Sequence, residues 1–277
     1  MQSLSRSWRR DGLIVGFVPT MGALHDGHLS LVHAAREQCD RFVASIFVNP
    51  LQFEAPEDLE KYERPFERDC RLLREAGCDA VFAPSVEVMY GARTTSVHPA
   101  QTFVEVEGLG GILEGETRPG HFRGVATVVA KLFNIVGPQR AYFGEKDYQQ
   151  LKVIEQMVRD LFFDTEIVPC PTIREEDGLA LSSRNVRLTM DERKAAAVLY
   201  RALRESVDLA RDGERNAAKL VETTRALCEA QPLVDLQYVA VVDAETLEPM
   251  IELDGRPVRA LVAASVGGTH LIDNMAL

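Results

Sequence analysis

Two histidines, His25 and His28, stand three residues apart in the run Pro19-Thr20-Met21-Gly22-Ala23-Leu24-His25-Asp26-Gly27-His28. An imidazole can donate a hydrogen bond and titrates near neutral pH, with an unperturbed pKa of about 6.5. Across a helix start, side chains three apart can point the same way. A pair of such donors suits charge developing on a phosphoryl group under attack. Two polar residues can also simply sit in a loop, but His-x-Gly-His at the end of an apolar strand favours the chemical reading. The sequence holds no Gly-x-x-x-x-Gly-Lys-Ser/Thr, so a phosphate site here is not a P-loop.

Other patches carry matching chemistry. Asn49 and Gln52 offer neutral amides in an Asn-Pro turn that fixes their direction. In Gly144-Glu145-Lys146-Asp147, followed by Gln149 and Gln150, Lys146 supplies a compact charge for a phosphate and Asp147 an acceptor for ribose hydroxyls. Leu181-Ser182-Ser183-Arg184-Asn185 is a small polar loop with one guanidinium, suited to a triphosphate or departing pyrophosphate. Around a Pro-Gly turn, Arg118, His121 and Arg123 read as a cationic lid that would exclude water on closing.

These patches need elements to hold them at one place. Residues 12–18 are apolar and largely β-branched or aromatic, as in a buried parallel strand, and a helix is expected from 29 to 38. The histidine motif is then a turn from a strand's carboxyl end into a helix, where an open α/β sheet binds ligands and the helix dipole favours phosphate. Further strands are expected at 42–48, 80–83, 102–107, 140–143 and 166–170. Helices are expected at 3–10, through 56–76 with Pro65 opening a second helix, at 125–136 and at 148–162. The stretch 84–123 reads as the least regular. Strands alternating with helices imply an α/β fold with a doubly wound parallel sheet over 1–173. From 174 onward, helices at 190–211 and 214–230 precede strands near 236–242 and 260–265, a smaller α+β domain carrying the Leu181–Arg184 loop. Residues 173–181 would be both hinge and site wall.

Bulk properties narrow the classes. The 277 residues are 46% hydrophobic and 26% charged, an ordinary globular composition. A net charge of −11 argues against a nucleic-acid partner, which needs a basic face. Five cysteines without Cys-x-x-Cys pairing fit neither a disulfide framework nor zinc, and most read as buried small hydrophobes. Residues 1–10 lack the apolar core of a signal peptide, and no apolar run approaches the ~20 residues of a membrane span. A cytoplasmic protein without membrane contact is expected.

Together the patches from Val18 to Leu188 resemble the pantothenate synthetase (pantoate–β-alanine ligase, AMP-forming) family, within the superfamily that shares His-x-Gly-His with class I aminoacyl-tRNA synthetases. The serine loop is similar to the second signature of those synthetases, with Arg184 where they usually carry lysine. The resemblance implies a Rossmann-like sheet and the condensation of pantoate with β-alanine through pantoyl adenylate, releasing pyrophosphate and AMP. It implies ATP against Met21, Gly22, Ala23, Leu24, His25, Asp26, Gly27, His28, Gly144, Glu145, Lys146, Asp147, Ile173, Leu181, Ser182, Ser183 and Arg184. His28, His25, Lys146 and Arg184 take the catalytic roles, with His28 as proton donor. Gln52 and Gln150 hold pantoate in the company of Asn49, Tyr62, Arg118 and His121, and Gln52 also reaches β-alanine. Mg²⁺ accompanies ATP without a protein ligand named by any carboxylate cluster, and a homodimer is expected. The stretch before Pro19 is shorter than members usually carry, so an extra edge strand is not expected.

Two other readings compete. Another His-x-Gly-His enzyme, such as a phosphopantetheine or nicotinamide-mononucleotide adenylyltransferase, would lack the Asn-Pro-x-Gln-Phe and Gly-Glu-Lys-Asp patches. A catalytically silent nucleotide-binding regulator would have no need of His25, His28, Lys146 and Arg184 together. The two glutamines assigned to pantoate suggest one further point: an arginine there would stabilise the attacking carboxylate in its ground state and blunt it.

Overall fold

A five-stranded, all-parallel sheet organises the N-terminal part of the chain, its order running β3-β2-β1-β4-β5. The strands are β1 (Val15–Thr20), β2 (Arg41–Ile46), β3 (Ala80–Phe82), β4 (Arg140–Gly144) and β5 (Glu166–Cys170). The computed structural model describes residues 1–53, 56–91 and 101–277, the side chains of 56–58 excepted. Two compact units emerge: residues 1–145 with 149–171, and residues 146–148 with 172–277.

In the first unit the helices are α1 (Gln2–Arg10), α2 (Asp26–Gln38), α3 (Pro56–Lys61), α4 (Phe66–Glu75), α5 (Val86–Tyr90), α6 (Glu114–Thr117), α7 (His121–Val136) and α8 (Tyr148–Asp160), the last starting in the other unit. Strands β1 and β2 are fully buried at Val15, Phe17, Val18, Phe42, Val43 and Ala44, which explains their unbroken apolar composition. Burying a side chain such as Phe17 contributes about 1.5–3 kcal/mol. Helix α7 is apolar nearly all round because eleven of its residues are buried. From β1 the chain winds outward through β2 to β3, then returns to β4 on the other side of β1 and ends at β5. The strand order thus reverses between β1 and β4, and their carboxyl ends define the crevice where open α/β sheets take ligands.

Several expectations need correction. Strand β1 begins three residues later than the apolar run and extends through Pro19 and Thr20. Residues 102–107 form no strand: the Thr127 hydroxyl on α7 accepts from the Val104 amide at 2.9 Å and donates to the Val104 carbonyl at 3.3 Å, doing for that backbone what a neighbouring strand would. Pro65 is the N-cap of α4 and not its first helical residue. Within the irregular stretch 84–123, residues 92–100 lie outside the described residues, while 114–117 and 121–123 are helical.

The second unit contains α9 (Met190–Ala196), α10 (Val198–Arg211), α11 (Ala217–Glu229) and an antiparallel sheet of β6 (Val234–Asp243), β7 (Val258–Val266) and β8 (Thr269–Ala276) in that order. The expected single helix over 190–211 is two, joined at Ala197. Strand β8 was not expected. It pairs with β7 through a two-residue Gly267-Gly268 turn, both glycines at positive φ, which is a strong hairpin signal. One face of the sheet and the inner faces of α10 and α11 bury a core that includes Leu199, Leu203, Leu220, Val262 and Val266.

Candidate active site

At the carboxyl end of β1 the backbone leaves the sheet through a tight loop. Thr20 donates its hydroxyl to the Ser45 carbonyl at 2.7 Å and accepts from the Gly22 amide at 3.1 Å. Gly22 takes a φ of +85°, open to a residue without Cβ, and Ala23 follows at +51°. From α4, the Asp69 carboxylate, fully buried, accepts from the amides of Ala23 at 2.8 Å and Leu24 at 3.0 Å. Charge-assisted bonds of this kind are roughly twice as strong as neutral ones. Leu24 then buries its side chain beneath the turn.

His25 is the N-cap of α2, and its Nδ1 accepts from the Gly27 amide at 3.1 Å. A ring nitrogen that accepts carries no proton, so the neutral tautomer of His25 holds its proton on Nε2. His28 lies one turn on, with its amide bonded to the His25 carbonyl at 2.8 Å. The two half-buried rings sit with centroids 4.1 Å apart, tilted at 44°. The helix thus begins three residues before the expected position and includes His28 in its first turn. Two imidazoles and the amide end of a helix dipole together suit an anion.

Asn49 and Gln52 follow β2 in a 3-10 turn, Pro50–Gln52. Asn49 is buried and its amide is engaged within the fold: Nδ2 donates to the Gly124 carbonyl at 3.1 Å, while Oδ1 accepts from the Leu51 amide at 3.3 Å and the Tyr90 hydroxyl at 2.7 Å. Burial pushes the Tyr90 phenol well above its ordinary value, so it stays a donor. A Cβ on Gly124 would stand 2.2 Å from the Leu51 carbonyl oxygen, so α7 approaches this turn as closely as glycine alone allows. Gln52, by contrast, is half-buried and its side-chain amide makes no hydrogen bond among the described residues. Its carbonyl accepts from Arg118 Nη2 at 3.3 Å and meets His121 Nδ1 at 3.0 Å. The stretch 116–124 is the one expected to act as a cationic lid. Residues 114–117 and 121–124 are helical, Phe122 is buried, and Arg118 and His121 are tied to the Gln52 turn.

Tyr62 packs edge-on against Phe53, with ring centroids 5.7 Å apart. Of the adjacent glutamines on α8, Gln149 is buried and holds the glycine-rich loop through Leu109, Ile112 and Glu114. Gln150 is half-buried, and its amide too makes no hydrogen bond among the described residues.

Gly144 ends β4 and Glu145 follows it in the first unit, while the second unit holds Lys146, Asp147, Ile173 and the Leu181–Arg184 loop. Lys146 pairs with Asp147 at 3.3 Å, and the Lys146 carbonyl accepts from Asn274 Nδ2 at 2.9 Å. The chain then bridges Arg174 to Ala180 before the Leu181–Arg184 loop, whose Leu181 amide bonds to the Ile173 carbonyl at 3.0 Å. Ser182 Oγ accepts from the Arg184 amide at 3.2 Å, and Asn185 Nδ2 donates to the Ala180 carbonyl at 3.1 Å. Arg193 of α9 binds Glu175 at 2.7 Å and Asp177 at 2.6 Å, and its guanidinium holds the Asp177 carboxyl below the usual range. Arg174 grips Asp273 of β8 with two bonds of 2.6 and 2.8 Å, and removing one partner of so buried a pair costs roughly 3–5 kcal/mol.

The sequence model of the family described as pantoate-beta-alanine ligase matches residues 1–276. The chain belongs to the pantoate–β-alanine ligase family. It is similar to the pantothenate synthetase of Rubrobacter xylanophilus, 62% identical over 100% of this chain and 96% of that one. A crystal structure of the Thermus thermophilus pantothenate synthetase superposes with a TM-score of 0.89 at 52% identity, covering 94% of this chain and 92% of that one. The Francisella tularensis pantoate-beta-alanine ligase, complexed with beta-gamma ATP and beta-alanine, gives a TM-score of 0.76 at 35% identity, over 99% of this chain and 94% of that one. The α/β fold and the ligase class of the enzyme follow from that membership. Four residues that hold backbone next to candidate residues, Asp69 in the first unit and Arg174, Asp273 and Asn274 in the second, were missed by the sequence reading. Asp69 lies in a charged amphipathic helix where nothing marks one carboxylate from the next, and the other three act through contacts distant in sequence.

Proposed function

We propose that this ligase joins pantoate to β-alanine in two steps on its own residues. First, a carboxylate oxygen of pantoate attacks the α-phosphorus of ATP. A new O–P bond forms, the bond to the β-phosphate bridging oxygen breaks, and pyrophosphate leaves with the electron pair. Second, the neutral amine of β-alanine attacks the acyl carbon of pantoyl adenylate. The C–N bond forms, the C–O bond to AMP breaks, and the amine gives up a proton.

The observation that carries this reading is the close His25–His28 pair at the mouth of α2. Their N–H groups supply hydrogen bonds to charge growing on the phosphoryl oxygens. His28 is the proton-bearing residue, donor in the first step and the acceptor of the amine proton in the second. Lys146 and Arg184 balance the departing pyrophosphate, and Asp147 the ribose hydroxyls. The nucleotide contacts are those of Met21 to His28, Gly144 to Asp147, Ile173 and Leu181 to Arg184. Gln52 and Gln150 hold pantoate by their uncommitted amides, and Gln52 also serves β-alanine. Asn49, Arg118 and His121 act by shaping the Gln52 turn, with Tyr62 beside it.

Magnesium enters as the partner of ATP. Among the described residues no three of His, Cys, Asp or Glu gather into a metal-holding group, and the phosphates and water would supply the ion's shell. No helix among the described residues is long and apolar enough to cross a membrane. A cytoplasmic homodimer completes the reading. The experiment is to incubate the purified chain with ATP, pantoate, β-alanine and magnesium and quantify products. Pantothenate and AMP should appear in equal amounts; ADP in place of AMP, or no pantothenate, would overturn it.

A further inference from the structure

Two consecutive residues of β8 hold the main chain on both sides of the second unit's cationic residues. Asn274 donates from Nδ2 to the Lys146 carbonyl at 2.9 Å, and its Oδ1 accepts from Arg259 Nη1 at 2.6 Å. The Arg259 guanidinium carbon in turn lies over the Tyr148 ring, 3.8 Å from its centroid, and the Tyr148 hydroxyl donates to the Ala244 carbonyl at 2.8 Å. Asp273 takes the bidentate grip of Arg174, which also donates to the Gly178 carbonyl at 3.0 Å and to the Asn274 carbonyl at 3.3 Å. Asn274 and Asp273 are both buried, 4% and 3% exposed.

Neighbouring residues of a strand point to opposite faces. One strand therefore fixes two separate segments, the turn under Lys146 and the bridge that leads into the Leu181–Arg184 loop. A lysine side chain is long and flexible, so where its charge arrives depends on how firmly its backbone is held. From this juxtaposition we infer that Asn274 is a positioning residue for adenylation, acting through Lys146. The inference rests on the proposed role of Lys146 toward the departing pyrophosphate. It gives the C-terminal sheet a part in the first chemical step.

The test is a double-mutant cycle on pantoate-dependent exchange of pyrophosphate into ATP. Asn274→Asp keeps the size of the side chain and an acceptor for Arg259 but removes the donor to the Lys146 carbonyl. Misplacing a reacting group by an ångström can cost about 100-fold, so Asn274→Asp should slow exchange by about 10- to 100-fold. The KM for pantoate should move by less than about 2-fold, since the role proposed for Lys146 is toward the phosphates of ATP and not toward pantoate. In a Lys146→Ala background the same change should slow exchange by no more than about 2-fold further. Independent, multiplicative losses, or exchange at the wild-type rate in Asn274→Asp, would overturn the inference. Should Asn274→Asp not fold, Asn274→Ala enters the same cycle. Absence of pantoate-dependent exchange in the wild-type chain would count against the adenylation reading. The cycle read as ATP affinity by calorimetry then decides the positioning claim, with coupled losses supporting it and independent ones sinking it.

Discussion

The carboxylate of Asp69 reaches the backbone amide of Ala23 at 2.8 Å from a helix 46 residues further along the chain. Its other oxygen takes the Leu24 amide, so one buried side chain sets the turn that delivers His25 and His28. Asp69→Ala would strand two buried donors. We expect a loss of about 2–4 kcal/mol in urea unfolding, with part recovered in Asp69→Asn, which keeps one acceptor. A change within about 0.5 kcal/mol would show that water replaces the carboxylate at no cost.

The close approach of α7 to the Gln52 turn makes a second prediction. In Gly124→Ala the added methyl would stand 2.2 Å from the Leu51 carbonyl oxygen and 3.1 Å from the Gln52 amide. Backbone must move, and overpacking of this kind costs about 1–3 kcal/mol. The shift displaces Gln52, so the KM for pantoate should rise more than the KM for ATP. Equal rises in both, or neither, would argue that the turn does not set the pantoate contacts.

The expected parallel sheet was readable because its inner strands are buried on both faces, leaving uninterrupted runs such as Phe42-Val43-Ala44. Residues 102–107 misled for a physical reason: alternation signals a strand only when another backbone is there to pair, and here a threonine hydroxyl takes that place. Strand β8 escaped because its half-polar sequence hides an apolar face, although Gly267-Gly268 marks the hairpin. Motif residues such as His25, Lys146 and Arg184 stand out by type and spacing. Their supports, Asp69, Arg174 and Asn274, are ordinary polar residues made special by partners far along the chain.

A third prediction concerns the neutral amides assigned to pantoate. Gln150→Arg would place a guanidinium against the attacking carboxylate and stabilise it more before reaction than during it. Single-turnover adenylation at saturating pantoate should slow by about tenfold, equivalent to about 1.4 kcal/mol, while pantoate binds more tightly. Wild-type adenylation rates at saturation would remove the argument for neutral amides.

Burial pushes the thiols of Cys78, Cys170 and Cys228 from 9.0 up to about 11. A group whose folded pKa is raised adds stability that is whole below the unfolded value and lost as pH climbs through the folded one. Unfolding midpoints should therefore fall between pH 9 and about 11 on this account. At pH 8 the buried thiols of Cys170 and Cys228 should react with an aromatic disulfide reagent only after denaturant is added. Fast labelling of the folded chain at both would contradict their burial.

Labelled pyrophosphate should exchange into ATP when the chain is given ATP, magnesium and pantoate, with no β-alanine present. Exchange that needs pantoate and nothing more would show a carboxylate displacing pyrophosphate from ATP as proposed. Exchange without pantoate, or none until β-alanine is added, would contradict it.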